Sequence, residues 1–316
     1  ADLNLLQKKL LKSPEWEISK SELLTTKWNH QGRLENPTNL IRILKNQKPK
    51  RIFFFHHFDS KGFFPYTWLD ALETIYQNGW TVIVSSSNLS HKSEEELIER
   101  NLLISKRKNI GLCLGAYRDF NLLLQENNDI SRNCEQLIFA NDSNLPIKGS
   151  IAFSQCIEDI SEKLNYKNPI LTGITDSVQC GTYHIQSYLL GVNRKLRLHS
   201  VWKDFWRSLP LEGSKDELII QGEIGLSNAI VKAGIKTWAK YSLIEILIEQ
   251  EKVEYEVGNL GVNMPSLINP TIHCWRSLLD AGSPLIKKQL LFYIQQQPLP
   301  LSQIKAWMNQ NDYLLR

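Results

Sequence analysis

The sequence has no long apolar run, no paired cysteines and no strong excess of either charge. No apolar stretch approaches the roughly 20 residues of a membrane span, and the first residues lack a signal-peptide pattern. The formal net charge is only +4, and the basic residues are dispersed apart from short groups. A nucleic-acid-binding surface needs a denser basic stripe. We therefore expect neither a transmembrane segment nor a nucleic-acid partner.

The five cysteines are odd in number and widely spaced, which matches neither a zinc site nor a disulfide framework. They predict buried thiols and a reducing cytoplasm. With 42% hydrophobic residues among 316, the chain can bury one large core or two modest ones. Because the chain begins at Ala1, we expect it to be a piece of a longer protein, such as a larger multidomain enzyme. We expect it to act in the cytoplasm or peripherally at the inner face of the membrane.

Apolar segments alternate with helical patterns through the middle of the chain. This order predicts an α/β fold with a mostly parallel central sheet flanked by helices. Helices are expected from about 68 to the stop at Gly79, and near 117–125 and 151–164. The predicted strands are Arg51–Phe58, Thr81–Ser87, Asn101–Arg107, Glu135–Asp142, Pro169–Thr175 and Ile185–Asn193.

Both ends of the chain are predicted to be helical extensions. Residues 1–46 are a helical lead-in or linker, 47–291 form the main domain, and 292–316 form a C-terminal extension. Across the boundary between these two parts, Ser283–Gln296 opens with Ser-Pro, a pattern typical of a helix start. Pro298–Asn311 is expected to be a short helix after a break.

Polar side chains follow three of the predicted strands. Carboxyl ends of parallel strands meet at one edge of a sheet, where ligands of open α/β folds bind. Taken singly, the histidines fit local hydrogen bonding and the serines fit an ordinary turn. The groups are His56, His57 and Asp59 after the first strand, Ser85–Asn88 after the second, and Asn141–Asn144 after the fourth.

The third strand leads into a glycine-containing loop before a helix. Arg107 and Asn109 are suited to a phosphate or a sugar hydroxyl, and Gly111 and Gly115 allow close backbone approach. The loop lacks the dinucleotide fingerprint and the phosphate-loop pattern, which excludes both of those classes.

Glu223 comes at the start of an amphipathic pattern that ends at Gly234. A carboxylate in the first turn of a helix is stabilised by the helix dipole, so this residue has a plain structural explanation. The functional alternative is a general base.

Nine short motifs follow one another between Arg51 and Leu291, in the order "HHFDSKG", "RKNIGLCLGAYRDF", "NDS", "LTGITDS", "HIQSYLL", "FW", "EIGLSNAIVKAG", "NPT" and "GSPLIKKQLL". In this order they resemble the rhamnan synthesis protein F family of bacterial polysaccharide glycosyltransferases.

The resemblance implies a GT-A-like three-layer fold and an inverting transferase that moves L-rhamnose from a nucleotide-sugar donor, dTDP-rhamnose foremost, to a glycan acceptor of the cell envelope. Glu223 is then the base, and Asp142 meets the donor diphosphate. The implied donor site comprises His56, His57, Asp59, Ser85, Asn88, Arg107, Asn109, Gly111, Asn141, Asp142, Ser143 and Lys287, and the implied sugar or acceptor site comprises Asp176, His184, Gln186 and Ser187.

The turn Asn141-Asp142-Ser143 has one carboxylate where many GT-A enzymes have two. Asp142 with diphosphate and water could hold Mg²⁺ or Mn²⁺. Alternatively, Arg107, Lys287 or helix N-termini neutralise the diphosphate without a metal. The single carboxylate also leaves open a module that binds a glycan or nucleotide without catalysis.

Overall fold

The structure, a computed structural model, describes residues 33–249 and 268–292. The predicted α/β class is confirmed, because a mostly parallel central sheet lies between helical layers. The strands are β1 Arg51–His57, β2 Thr81–Ser86, β3 Leu103–Lys106, β4 Gln136–Asn141, β5 Asn144–Pro146, β6 Ile170–Ser177, β7 His184–Ile185, β8 Leu189–Asn193, β9 Lys236–Tyr241 and β10 Leu285–Lys287.

The strand order across the sheet is β3, β2, β1, β4, β8, β6, with β7 and β9 both beside β6. Strands β1 to β4 run parallel, whereas β8 runs antiparallel to both of its neighbours. Because β1 pairs with β2 on one side and β4 on the other, the strand order reverses at β1. In open α/β sheets such a reversal opens a crevice beyond the carboxyl ends of the strands.

The central strands are continuous apolar runs because helices cover both of their faces. In β1, Phe53 and Phe55 belong to one core cluster, together with Trp68. Phe54 belongs to the other cluster and stacks on Phe120, with ring centroids 4.5 Å apart. Successive side chains of β1 therefore pack into two different cores, one on each side of the sheet.

The helix predicted near 117–125 begins earlier, at Leu112, directly after Gly111 with a φ of 72°. Residues 243–249 are also helical. No helix in the described ranges combines the length and apolarity needed to cross a bilayer. The helices are α1 Pro37–Gln47, α2 Tyr66–Gln77, α3 His91–Glu99, α4 Leu112–Glu126, α5 Asn128–Asn133, α6 Gly149–Leu164, α7 Arg194–Leu198, α8 Ser200–Ser208, α9 Lys215–Leu218, α10 Gly225–Lys232, α11 Pro270–His273, α12 Trp275–Asp280 and α13 Lys288–Phe292, with a 3₁₀ turn at Gln179–Gly181.

The strand predicted over Ile185–Asn193 is wrong as a single element. It is two strands, because β7 pairs with the end of β6 while β8 pairs with β4 and with the start of β6. The break at Gln186–Tyr188 is held by hydrogen bonds, since the Gln186 N–H donates to the carbonyl of Thr175. The Gln186 side chain also accepts a hydrogen bond from the Thr175 hydroxyl at 2.7 Å.

The helix predicted to begin at Ser283 is also wrong at its start. Residues Leu285–Lys287 form β10, because they pair antiparallel with β5 directly after the β4 turn. The helix begins only at Lys288. The remainder of this segment and the helix expected over Pro298–Asn311 lie outside the described residues.

Glu223 is not at a helix start. Helix α9 begins at Lys215 behind a capping box of Ser214 and Glu217, and a π-helical stretch, Ile219–Ile224, joins it to α10. The explanation of Glu223 as a dipole-stabilised first-turn acid is therefore wrong. Single π-helical turns within helices are frequent at functional sites.

Candidate active site

A cavity of about 830 Å³ lies beyond the carboxyl ends of β1 and β4, where the strand order reverses. Phe58 follows β1 and contributes one wall. The other walls are the end of β4, the first turn of α4, the break between β7 and β8, the π-helical stretch, and the junction of β10 with α13. The cavity thus joins elements from both halves of the chain.

Several of the predicted site residues meet in this cavity, although they come from four separate stretches of the sequence. Of the predicted sugar and acceptor residues, all but Asp176 line the cavity. The lining residues that were predicted are Asn141, Ser143, His184, Gln186, Ser187, Glu223 and Lys287.

The carboxylate of Glu223 is oriented by two contacts across the cavity. Its Oε2 accepts a hydrogen bond of 2.5 Å from the Ser187 N–H, and its Oε1 lies 3.5 Å from His184 Nε2. The other ring nitrogen, Nδ1, is 2.8 Å from the carbonyl oxygen of Thr182, which can only accept. Nδ1 therefore carries a hydrogen, and Nε2 is the ring nitrogen that faces Glu223.

Asp142 lies in the tight turn between β4 and β5, at the edge of the cavity. Its N–H donates to the carbonyl of His56, which ties the turn to the end of β1. Its Oδ2 is 3.4 Å from the Phe58 N–H and 3.4 Å from Lys288 Nζ. The carboxylate is therefore held between a backbone donor and an ammonium group.

Two further ionisable groups face the cavity. Burial lowers the pKa of the Lys287 ammonium, and the Glu223 carboxylate opposes that shift. Burial raises the pKa of the Cys113 thiol to about 11, with the Glu223 and Asp142 carboxylates contributing in the same direction. Cys113 is consequently a neutral thiol at neutral pH, and the Glu223 carboxylate favours the charged form of Lys287.

The guanidinium nitrogens of Arg107 that are paired with protein groups are not available to bind a phosphate. Its guanidinium is fully buried and forms an ion pair with Asp119 at 3.0 Å, while Nη2 also donates to the carbonyl of Ile110. Asn109 is exposed outside the cavity, and Gly111 is the residue that precedes α4. The paired nitrogens of Arg107 tie the end of β3 to α4, and its phosphate role stays a prediction.

The remaining residues of the first two strand ends organise loops. His57 contacts the Ser86 hydroxyl through Nδ1 at 3.1 Å and the carbonyl of Phe63 through Nε2 at 3.0 Å. Asp59 accepts from two N–H groups of its own turn, and Asn88 donates to the carbonyl of Asp59. These side chains brace the loops next to the cavity rather than line it.

Asp176 also lies away from the cavity lining. It is in β6 and accepts a hydrogen bond of 2.6 Å from the Leu243 N–H. Burial raises the pKa of its carboxyl group. In the described part of the chain, its contact connects the sheet to the helical residues 243–249.

Four buried polar atoms on one side of the sheet have no hydrogen-bond partner among the described residues. They are His56 Nδ1, Ser85 Oγ, Ser87 Oγ and Arg107 Nη1, at or just beyond the ends of β1, β2 and β3. Burial lowers the pKa of His56 to about 3, and the Arg107 guanidinium adds to this shift, so the imidazole is neutral. An unpaired buried polar atom costs about 1–3 kcal/mol, so these atoms are suited to a ligand or water.

Sequence reasoning missed Lys288, Phe58 and Asn269, which all line the cavity. Lys288 is next to Lys287, which was predicted, and Asn269 is the first residue of the "NPT" motif. Asn269 accepts a hydrogen bond of 3.2 Å from Gln186 Nε2, so it positions a predicted acceptor residue. The cysteine prediction was also incomplete, because Cys113 and Cys180 are partly exposed and line the cavity, although no disulfide forms among the five cysteines.

The residues around Asp142 are a poor fit for a divalent metal. Mg²⁺ and Mn²⁺ prefer several oxygen ligands, with carboxylates prominent among them. Asp142 is the carboxylate of the turn, and one of its oxygens already faces Lys288. Across the described ranges, no group of three or more His, Cys, Asp or Glu side chains is arranged to hold a metal.

Fold and site together define an α/β protein whose open, mostly parallel sheet carries a cavity with ionisable side chains at its topological reversal. The chain is 26% identical over 299 residues to virulence protein VirA of Vibrio anguillarum, covering 89% of this chain and 87% of that protein. It is 29% identical over 177 residues to the protein y4gN of Sinorhizobium fredii, covering 55% of this chain and 44% of that protein.

No family model matches the chain, so its resemblance to the rhamnan synthesis protein F family stays a prediction. Among solved structures, a mannosyltransferase from Pyrobaculum calidifontis, in complex with GDP-Man and Mn²⁺, covers 93% of this chain with 9% identity. Its TM-score is 0.33, with 91% of that chain covered. This is a distant likeness of fold, from which no function follows.

Proposed function

We propose that the chain is an inverting glycosyltransferase that moves a sugar from a nucleotide-sugar donor to a glycan acceptor. One observation carries the proposal. The hydrogen-bonded carboxylate of Glu223 lines the same cavity as Lys287 and Lys288, which lie beside the turn of Asp142. A base and a cationic diphosphate site are the two parts that such a transfer requires. From the sequence resemblance, L-rhamnose linked to thymidine diphosphate is the first donor to test.

The base contributes through geometry. Glu223 takes the proton of an acceptor hydroxyl, whose oxygen attacks the anomeric carbon as the bond to the diphosphate breaks on the opposite face. The Ser187 N–H orients the carboxylate at 2.5 Å. His184 Nε2 contacts the same carboxylate at 3.5 Å. A positioned base accelerates such a step by about a hundred- to ten-thousand-fold.

The donor is proposed to lie along the carboxyl ends of the parallel strands. Its diphosphate lies at the β4 turn beside Lys287 and Lys288, which carry positive charge. Its nucleoside end extends toward β1, β2 and β3, where His56 and Ser85 have polar atoms without partners. Binding would give these atoms the hydrogen bonds that the protein alone does not supply.

The test is sugar transfer by Glu223→Gln with a panel of nucleotide sugars and a glycan acceptor. Gln keeps the size of the side chain and can still accept from Ser187, but it takes no proton at neutral pH. We expect donor affinity within about twofold and turnover lower by a hundredfold or more. Glu212→Gln, at an exposed position outside the cavity, is the matched control and should leave both unchanged.

Unchanged transfer by Glu223→Gln would contradict the catalytic assignment. Binding of a nucleotide sugar by the unaltered protein without any transfer or hydrolysis would instead support the non-catalytic module. That module was the alternative raised by the single carboxylate of the turn.

A further inference from the structure

We propose that the ammonium group of Lys288 takes the place of a divalent cation at Asp142, so that the donor diphosphate binds without a metal. The inference rests on the proposed function, because it concerns the diphosphate of the donor. The sequence did not decide whether the donor site uses a metal, nor which lysine would replace one. The cationic side chains that it suggested as alternatives to a metal were Lys287 and Arg107.

The position of Lys288 comes from the backbone. Its N–H donates to the carbonyl of Ser143 at 2.9 Å, and β10 immediately before it pairs Lys287 with Asn144. The small β5–β10 sheet therefore fixes the start of α13 against the turn that carries Asp142. The Lys288 side chain is 31% exposed and lines the cavity, with Nζ 3.4 Å from Asp142 Oδ2.

The charges are appropriate for a diphosphate. Lys287 and Lys288 both line the cavity, and two ammonium groups carry the same total charge as one divalent ion. Arg107, the other cation considered, is buried in an ion pair with Asp119 and does not line the cavity. A lysine acts on phosphate as a point charge and so needs no fixed coordination geometry.

A metal at the same place would meet two obstacles. It would compete with the Lys288 ammonium for Asp142 Oδ2, an oxygen that also accepts from the Phe58 N–H. It would also find no second carboxylate in the turn, because Asn141 and Ser143 flank Asp142. Like charges at such short range repel strongly when water is partly excluded.

The first experiment is calorimetric titration of the whole chain with UDP, GDP and dTDP, in EDTA and then in Mn²⁺. We expect at least one nucleoside diphosphate to bind with affinities that agree within about twofold in the two conditions. Lys288→Gln should weaken that binding by about tenfold or more in EDTA. Lys232→Gln, an exposed lysine of α10 outside the cavity, is the matched control and should bind as the unaltered protein does.

The second experiment is Lys288→Asp, which places a second carboxylate beside Asp142 and removes the competing cation. This variant should bind Mn²⁺, as measured by electron paramagnetic resonance, and should bind the nucleoside diphosphate only when Mn²⁺ is present. If Lys288→Asp binds the diphosphate equally well in EDTA, Lys288 is not the replacement for a cation.

The outcomes separate this inference from the function on which it rests. Binding by the unaltered protein only in Mn²⁺ would overturn the metal-free site and leave the glycosyltransferase standing. Absence of binding by every nucleoside diphosphate in both conditions would overturn both.

Discussion

Burial decides the role of each polar side chain at the ends of the parallel strands. Arg107 is wholly buried and paired, whereas Lys288 is partly exposed and faces the cavity. A buried charge is maintained by its partner, so its removal is felt as lost stability. A charge at a cavity wall remains available to a ligand.

For Arg107, the expected effect is therefore on stability. Arg107→Met should lower the free energy of unfolding by about 3 kcal/mol, because Asp119 would keep only its contact with Arg33. Urea denaturation measures the loss, with exposed Lys108→Met as the control. A loss below about 1 kcal/mol together with weaker diphosphate binding would return Arg107 to the phosphate role.

His56 should make the protein sensitive to acid. Its pKa is lowered to about 3 by burial and by Arg107, while an unfolded histidine titrates near its ordinary value of 6.5. Below pH 6.5 the unfolded chain binds a proton that the folded protein does not, so the stability present above pH 6.5 is lost as pH falls toward 3. The slope from this residue is at most about 1.4 kcal/mol per pH unit.

Urea denaturation between pH 4 and 8 measures this contribution. The difference in unfolding free energy between the unaltered protein and His56→Asn should shrink or reverse as the pH falls. The largely exposed His91, changed to Asn, is the control and should give a difference that varies much less. A pH-independent difference for His56→Asn would mean that the folded protein protonates this imidazole normally.

Among the secondary-structure elements, the start of α4 is the most tightly constrained. A Cβ at Gly115 would lie 2.0 Å from the Ile110 carbonyl oxygen and 3.0 Å from Arg107 Nη2. This close approach brings the first turn of the helix against the strand ends, where it forms a wall of the cavity. The expectation from the sequence that Gly115 permits close backbone approach is confirmed.

Gly115→Ala should therefore displace the first turn of α4 and cost about 1–3 kcal/mol of stability. Gly225→Ala is the matched control, since its Cβ would meet the Ile220 carbonyl oxygen at 3.4 Å and Phe205 at 3.7 Å. Within a helix, that change should be neutral or stabilising. Equal effects of the two changes on the urea midpoint would show that α4 can shift freely.

For the molecule as a whole, the cavity joins two halves of the chain that are far apart in sequence. The β4 turn and Lys288 are 146 positions apart, and Ser187 and Glu223 come from the intervening segment. A ligand that fills the cavity would contact both halves at once. Its binding should be visible as stabilisation of the entire fold.

A nucleoside diphosphate at a hundred times its dissociation constant should add about 2.7 kcal/mol to the unfolding free energy. For a chain of this size, that corresponds to a rise in Tm of about 5 °C. Thermal denaturation with UDP, GDP, dTDP and ADP measures it, with inorganic phosphate as the control ligand. If no nucleotide raises the Tm more than inorganic phosphate does, the proposed donor site is contradicted.

The sequence alone determined the alternating strands and helices and the edge at which the polar groups gather. These features are local, because an apolar run of strand length followed by turn-forming residues predicts the end of a buried strand from neighbouring residues only. The motif resemblance gave Glu223 and Asp142 their expected roles. Glu223 lines the cavity, and Asp142 lies in the turn beside it, between the lining residues Asn141 and Ser143.

Only the tertiary structure decided which charges face that cavity. The pairing of Arg107 with Asp119, the pairing of β10 with β5 that brings Lys288 to Asp142, and the contact of Glu223 with Ser187 all join residues 12 or more positions apart. Such partners are chosen by packing and desolvation across the whole core, and no periodicity along the chain records them.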